Sequence, residues 1–182
     1  MKLYYIPNLI SSLRILLVIP LAYFLLQQNY NIAFFIFVIA GVSDALDGYL
    51  ARRYNWFTSL GVVLDPIGDK LLMLASYLIL GVQEYIPMWL VYAVILRDVI
   101  IVLGSLFYRL LIGELEIEPI LSSKINTLLQ ISLIIIVLFT LAIYPIKPAF
   151  IIAFMAVVFL STLVSGGCYI FLWGKRVWER RS

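Results

Sequence analysis

Apolar runs alternate with short polar breaks along almost the whole chain, and this pattern predicts helices rather than strands. The runs fall near residues 9–27, 31–52, 60–82, 86–109, 122–143 and 148–173, separated by QQNYN, RYNWFTS, VQEYIP, IGELEIEPILSS and YPIKP. An α-helix needs about 20 predominantly apolar residues to cross the hydrocarbon core of a bilayer, and each run is close to that length. The first run is interrupted by Ser11, Ser12 and Arg14. Its opening residues, with Pro7 near their start, therefore read as a short N-terminal interfacial segment leading into span one. No internal repeat or low-complexity segment breaks the series. The predicted architecture is an all-α polytopic membrane protein with six transmembrane helices, forming one domain over residues 1–182.

Composition sharpens this picture mainly by exclusion. At 64% hydrophobic residues in 182, the chain is too apolar for an ordinary soluble domain. A net charge of +3, scattered along the sequence, gives no reason to expect nucleic acid as a partner. Cys168 stands alone, which excludes an intrachain disulfide and leaves it as a small apolar residue. Histidine is absent from the sequence, so acid–base chemistry falls to other groups, and a bound metal would be a hard cation on oxygen ligands. The stretch MKLYYIPNLISSLRILLVIPLAYFLL has the outline of a secretory signal but lacks a small-residue cleavage site, so it reads as a retained first span. With no targeting presequence before that span, the expected location is a bacterial inner membrane.

Charge placement sets an orientation. Lys2, Arg14, Arg52, Arg53, Arg109, Lys124, Lys175, Arg176, Arg180 and Arg181 fall at the N-terminus, the second and fourth connections and the C-terminus, whereas the opposite connections carry only Lys147. An even number of spans puts both termini on one side, and the positive-inside rule makes that side cytoplasmic. The basic tail KRVWERRS then reads as a topology signal, with contact to anionic lipid as the alternative. Glu114, Glu116 and Glu118 read as a solvated loop. Trp56, Trp89, Trp173 and Trp178 lie near predicted span ends as interfacial anchors. Gly104, Gly166 and Gly167 are expected to permit close helix packing, including at a subunit contact.

Four aspartates disturb the pattern. An ionised carboxylate near the bilayer centre costs about 2.5–3.5 kcal/mol on insertion scales, so each needs compensation. Asp44 and Asp47 are three apart and share a helix face; Asp65 and Asp69, four apart, do likewise. A short connection makes spans two and three antiparallel neighbours, and all four carboxylates can converge near the cytoplasmic membrane face. Two Mg²⁺ or Mn²⁺ ions would supply four positive charges through ligands of the right hardness. Gly48 and Ala51 lie on the Asp44 face and Gly61 one turn before Asp65, where missing side chains would let a bulky group approach the backbone. Arg52 offers a fork suited to phosphate. Together these residues describe a site for a diphosphate carried on a lipid.

The run Asp44-x-x-Asp47-Gly48-x-x-Ala51-Arg52, eight residues, Gly61, three residues, Asp65, three residues, Asp69 matches in full the signature of CDP-alcohol phosphotransferases, which this chain resembles over nearly its whole length, including the opening IPNLISSLR. Eight fixed positions would coincide by chance on the order of 10⁻¹⁰ per start, so the signature is specific. The resemblance implies a homodimer, a cytoplasmic two-metal site and CDP-diacylglycerol as donor. It implies metal binding by Asp44, Asp47, Asp65 and Asp69, with Asp69 as catalytic base, and donor contacts from Gly48, Ala51, Arg52 and Gly61. The reaction it implies is attack of an acceptor hydroxyl on the β-phosphoryl group, with CMP leaving.

Other polar residues inside apolar runs are candidates for the acceptor: Arg97, Arg109, Lys124 and Asn126. Arg97 and Asp98 are adjacent and point about 100° apart on a helix, so they are not expected to satisfy each other. An interhelical ion pair is the structural alternative. Ser122 or Ser123 could cap span five and Lys124 could simply snorkel. Phosphatidylglycerophosphate synthases show GKxKT at this point and an RE pair in span four. This chain instead has Ser123-Lys124-Ile125-Asn126-Thr127 and Arg97-Asp98, and in that resembles eukaryotic-type cardiolipin synthases. The implied acceptor is phosphatidylglycerol, with glycerol-3-phosphate second. Rival classes fit less well: a cation or proton transporter would spread its carboxylates through the membrane depth, and an intramembrane prenyltransferase would release inorganic diphosphate and has different motifs.

Overall fold

The computed structural model describes residues 6–54, 61–112 and 121–179, and all of them outside short turns are helical. The helices are α1 (Ile6–Leu26), α2 (Tyr30–Tyr54), α3 (Gly61–Val82), α4 (Met88–Ile112), α5 (Leu121–Ala142) and α6 (Pro148–Glu179). They coincide with the six predicted runs, with differences only at the ends. Pro7 stands in the first turn of α1, where its missing N–H costs nothing, and Ser11, Ser12 and Arg14 do not interrupt that helix. The opening residues from Ile6 onward, expected as a separate segment, are continuous with α1 as one helix. At the other end, α6 runs past residue 173 to Glu179 because nothing in WGKRVWE breaks a helix.

Two helix ends show how the chain turns. Gln28 lies at φ 57 and Glu84 at φ 65, both left-handed. After α1, the Gln28 N–H reaches the Leu25 carbonyl and the Asn29 N–H reaches that of Phe24; after α3, Glu84 pairs with Gly81 and Tyr85 with Leu80 in the same way. This is the Schellman arrangement, and it satisfies carbonyls that the helix leaves open. Asn29 then caps α2 by accepting the Ile32 N–H on its side chain at 3.4 Å. The two turns are linked through the Gln83 side chain, whose Nε2 donates to the Leu25 carbonyl at 2.7 Å and whose Oε1 accepts from the Tyr30 hydroxyl at 3.3 Å.

The chain forms two compact units, with the division falling inside α5. One unit holds α1, α2, α3 and residues 134–145. Here α1 packs closely against both α2 and α3. Its inward stripe is Arg14, Val18, Leu21 and Leu25; that of α2 is Ala33, Phe37, Ala40 and Asp44; that of α3 is Asp69, Leu72, Ser76 and Leu80. Each follows the three- and four-residue spacing of one helix face. The outward faces are apolar too: Leu13, Leu16, Ile19, Tyr23 and Leu26 on α1 and Phe35, Ile39, Val42 and Leu46 on α2 are exposed. A helix that is apolar all round belongs in a protein core or a bilayer.

The second unit holds residues 87–133 and 146–182, with α4 packed on α6. Leu90, Val94 and Arg97 of α4 face inward, as do Met155, Val158, Thr162, Ser165 and Tyr169 of α6. Trp89 packs edge-on against Phe159 at 4.9 Å. Among the described residues, Leu121–Ala142 and Pro148–Leu172 are each long and apolar enough to cross a membrane.

The left-handed Gln28 and Glu84 carry a backbone penalty that glycine escapes, part of which glycine's extra chain entropy returns. Gln28→Gly and Glu84→Gly are each expected to stabilise the protein by about 0.5 kcal/mol, read as a higher midpoint of thermal unfolding in detergent.

Candidate functional site

The inward stripes of α1, α2 and α3 are apolar over most of their length and charged at one common end. Arg14 and Asp44 lie equally far before and after Asn29, so the α1–α2 hairpin brings them opposite each other. Helix α3 runs parallel to α1, as the Leu25–Gln83 contact at one end and the Arg14–Asp69 contact at the other require. The result is a three-helix charge cluster. Arg14 Nη1 lies 2.7 Å from Asp44 Oδ1 and 2.5 Å from Asp69 Oδ1.

The burial of the three partners is unequal. Arg14 is only 1% exposed, while Asp44 is 43% and Asp69 46% exposed. The guanidinium therefore lies beneath two carboxylates that each stay about half exposed. A buried arginine is stable only when anions pair with it, and removing such a partner costs about 3–5 kcal/mol. The two aspartates supply that pairing here, and the arginine in turn relieves their mutual repulsion.

Of the four predicted metal ligands, the structure brings Asp44 and Asp69 together. The side chains of Asp47 and Asp65 lie outside the described residues; their backbones sit one turn from Asp44 on α2 and one turn before Asp69 on α3. The side chains of Ala51 and Arg52, and the surroundings of Gly61, likewise lie outside them, while Gly48 is half-buried on α2. Among the described residues no group of three or more potential ligands is gathered. The pair that is seen nonetheless fits a divalent cation: both donors are carboxylate oxygens, and a cationic group already bridges them.

Arg14 is the residue that the sequence reading missed, because it was counted as a cytoplasmic loop cation and as an interruption of span one. Its register with Val18, Leu21 and Leu25 was the available signal, since a charge on the inward face of an apolar helix needs a partner. Helix α1 packs closely against both α2 and α3, and Asp44 and Asp69 meet at its arginine.

The acceptor candidates are in the second unit. Arg97, only 5% exposed, donates from Nη1 to Asp98 Oδ1 at 2.7 Å, from Nη2 to Ser123 Oγ at 2.5 Å and from Nη2 to Ser165 Oγ at 2.7 Å. The expectation that adjacent Arg97 and Asp98 would not satisfy each other is thus overturned. Their Cα–Cβ bonds do diverge, but the arginine arm is long enough to fold back. Ser123 serves Arg97 from inside the first turn of α5, which starts at Leu121, and so it is not the cap. Asn126 is buried, and its Oδ1 accepts from Ser161 at 2.7 Å and Thr162 at 3.0 Å. Lys124 is exposed, and the Arg109 side chain lies outside the described residues. Gly166 lies against Arg97, whose Cγ would be 3.7 Å from an added Cβ, whereas Gly41 and Gly167 face open space. The expected close packing therefore involves a side chain at Gly166 and no neighbour at Gly167 among the described residues.

A family model for CDP-alcohol phosphatidyltransferase matches residues 4–164. The chain is 35% identical over 145 residues to the cardiolipin synthase (CMP-forming) of Rattus norvegicus, a match covering 71% of this chain and 48% of that protein. It is 31% identical over 126 residues to the CDP-diacylglycerol–glycerol-3-phosphate 3-phosphatidyltransferase of Aquifex aeolicus, covering 68% of this chain and 69% of that one. With the cardiolipin synthase (CMP-forming) of Streptomyces coelicolor it shares 38% over 100 residues, 51% of this chain and 46% of that one. The chain spans about half the length of the mammalian relatives it matches.

Replacing Arg97 tests the second cluster as structure. Arg97→Met strips Ser123 and Ser165 of their donor and leaves Asp98 without its cation, and is expected to destabilise the protein by about 3 kcal/mol. Gly166→Ala meets only an ordinary van der Waals contact and is expected to stabilise α6 by about 0.5–1 kcal/mol. Thermal unfolding in detergent, without substrate, reads both.

Proposed function

Because the chain belongs to the CDP-alcohol phosphatidyltransferase family, we propose that it is an integral-membrane enzyme of phospholipid biosynthesis that transfers the phosphatidyl group of CDP-diacylglycerol to a glycerol-type alcohol. The observation that carries this reading is the approach of Asp44 and Asp69, from separate helices, to one buried arginine while both carboxylates stay about half exposed. In this reading Asp44, Asp47, Asp65 and Asp69 hold two Mg²⁺ or Mn²⁺ ions, which when bound neutralise charge on the diphosphate oxygens. Gly48, Ala51 and Gly61 give the cytidine diphosphate room against the backbone, and Arg52 pairs with phosphate.

Asp69 is half-exposed, so an acceptor hydroxyl can reach it. It orients that hydroxyl and takes its proton as the new oxygen–phosphorus bond forms. The bond from phosphorus to the CMP oxygen breaks, and CMP leaves with the electron pair. Arg14 keeps the Asp69 carboxylate aimed while this happens.

For the acceptor we favour phosphatidylglycerol, which would make the protein a cardiolipin synthase. The Arg97–Asp98 pair is neutral overall, and the neighbouring Asn126 is uncharged and already bonded to Ser161 and Thr162. Such surroundings suit the single charge of a phosphodiester better than the dianionic phosphate of glycerol-3-phosphate. Glycerol-3-phosphate is the second reading, favoured by the Aquifex relative. Six membrane spans, cytoplasmic termini and site, a bacterial inner membrane, a homodimer and a single domain over 1–182 complete the proposal. The apolar outer helix faces and the cation distribution support its membrane part.

Purified protein given labelled CDP-diacylglycerol is expected to release CMP with phosphatidylglycerol, to stop in EDTA and to resume with Mg²⁺ or Mn²⁺. Activity with glycerol-3-phosphate alone would replace the favoured acceptor by the second. Asp69→Asn is expected to insert in the membrane and bind donor yet lose CMP release by at least about 100-fold; wild-type turnover in that variant would remove Asp69 as the base.

A further inference from the structure

Arg14 has a use beyond holding two side chains in place. A divalent cation at this site, as the function proposed above requires, would draw on the same carboxylates that the guanidinium now bridges. We propose that Arg14 is a built-in counter-ion that stands in for divalent charge in the metal-free protein, so that the arginine and the divalent cation weaken each other's hold on Asp44 and Asp69. The inference rests on the metal-binding part of the proposed function.

Three observations carry it. One nitrogen, Nη1, is within ion-pair distance of both carboxylates, so the bridge spans the gap between α2 and α3. The arginine is buried, and low polarity around it leaves its charge poorly screened, so that it acts strongly on anything bound nearby. Finally, Arg14 is anchored on a helix packed closely against both partners, so the charge cannot drift away as a free ion would. A fixed positive charge beneath two carboxylates lowers their repulsion before any metal arrives. The same charge repels an arriving dication. The arrangement exchanges tight metal binding for a site that stays assembled when empty, and predicts that the metal is readily lost and regained.

Binding of Mn²⁺ to detergent-solubilised, EDTA-stripped protein, followed by electron paramagnetic resonance of the free ion, tests this without substrate or turnover. Arg14→Gln is expected to bind Mn²⁺ at least about tenfold more tightly than wild type. Its metal-free unfolding midpoint is expected to fall by about 5 °C or more, with Mn²⁺ restoring it. Arg14→Lys, which keeps the charge, is expected to bind Mn²⁺ within about threefold of wild type. Should Arg14→Gln fold only when Mn²⁺ is present during extraction, the dication has replaced the arginine and the inference stands. If it folds under neither condition, Arg14→Lys decides, and loss of Mn²⁺ binding there overturns the inference. Unchanged or weaker Mn²⁺ binding by Arg14→Gln overturns it while leaving the metal reading intact. No Mn²⁺ or Mg²⁺ binding by the wild type overturns both.

Discussion

A buried guanidinium between two half-exposed carboxylates is the interaction on which the first unit depends. Arg14 cannot stay in an apolar interior without anions, and Asp44 and Asp69 cannot approach one another without a cation. Each side of the arrangement therefore requires the other. That mutual need sets the register of α1 against α2 and α3 at one end of the unit, as the Schellman turns and the Gln83–Leu25 hydrogen bond set it at the other. Between these polar ends the stripes are apolar, and apolar packing alone would tolerate a slide of one helix past the next. The charges make one register better than its neighbours.

The second unit treats a buried arginine differently. Arg97 has one anionic partner on its own helix and two serines on others, so its charge is cancelled locally and its remaining donors are spent on hydroxyls. Its carboxylate partner, Asp98, is only 21% exposed. Arg14, by contrast, pairs with carboxylates from two other helices, and both of these stay about half exposed. The same residue type thus sits in a largely buried cluster in one unit and beneath half-exposed carboxylates in the other. That contrast separates a polar structural knot from a candidate reaction centre more clearly than residue type could.

Much of this was legible in the sequence. Helix number and approximate ends followed from apolar runs of uniform length, because a bilayer-sized helix leaves a long signal and the polar breaks are sharp. The aspartates stood out because carboxylates in apolar segments need compensation. What the sequence did not show was the identity of the compensating group within the protein. Arg14 lies thirty residues before Asp44 and fifty-five before Asp69, and only the hairpin at Gln28 and the parallel course of α3 bring the three together. Linear charge patterns report on the side of the membrane a segment prefers; they do not distinguish an arginine at an interface from one turned inward. The Arg97–Asp98 pair failed for a related reason. Helix geometry places Cβ atoms well, but a long flexible side chain is not confined to the direction in which it starts.

The inward turn of Arg14 also changes how orientation should be argued. A cation held in a salt-bridged interior is neutralised by its partners and exerts little pull toward a charged interface, so it does not belong in a count of loop lysines and arginines. With Arg14 set aside, the remaining cations still fall on one side by a wide margin, from Lys2 and Arg53 through Lys124 to the C-terminal cluster, against Lys147 alone. The proposed orientation therefore rests on those cations and not on Arg14. Packing gives the first helix a second constraint besides its flanking Lys2. Its buried Arg14 is the residue to which Asp44 of α2 and Asp69 of α3 are tied.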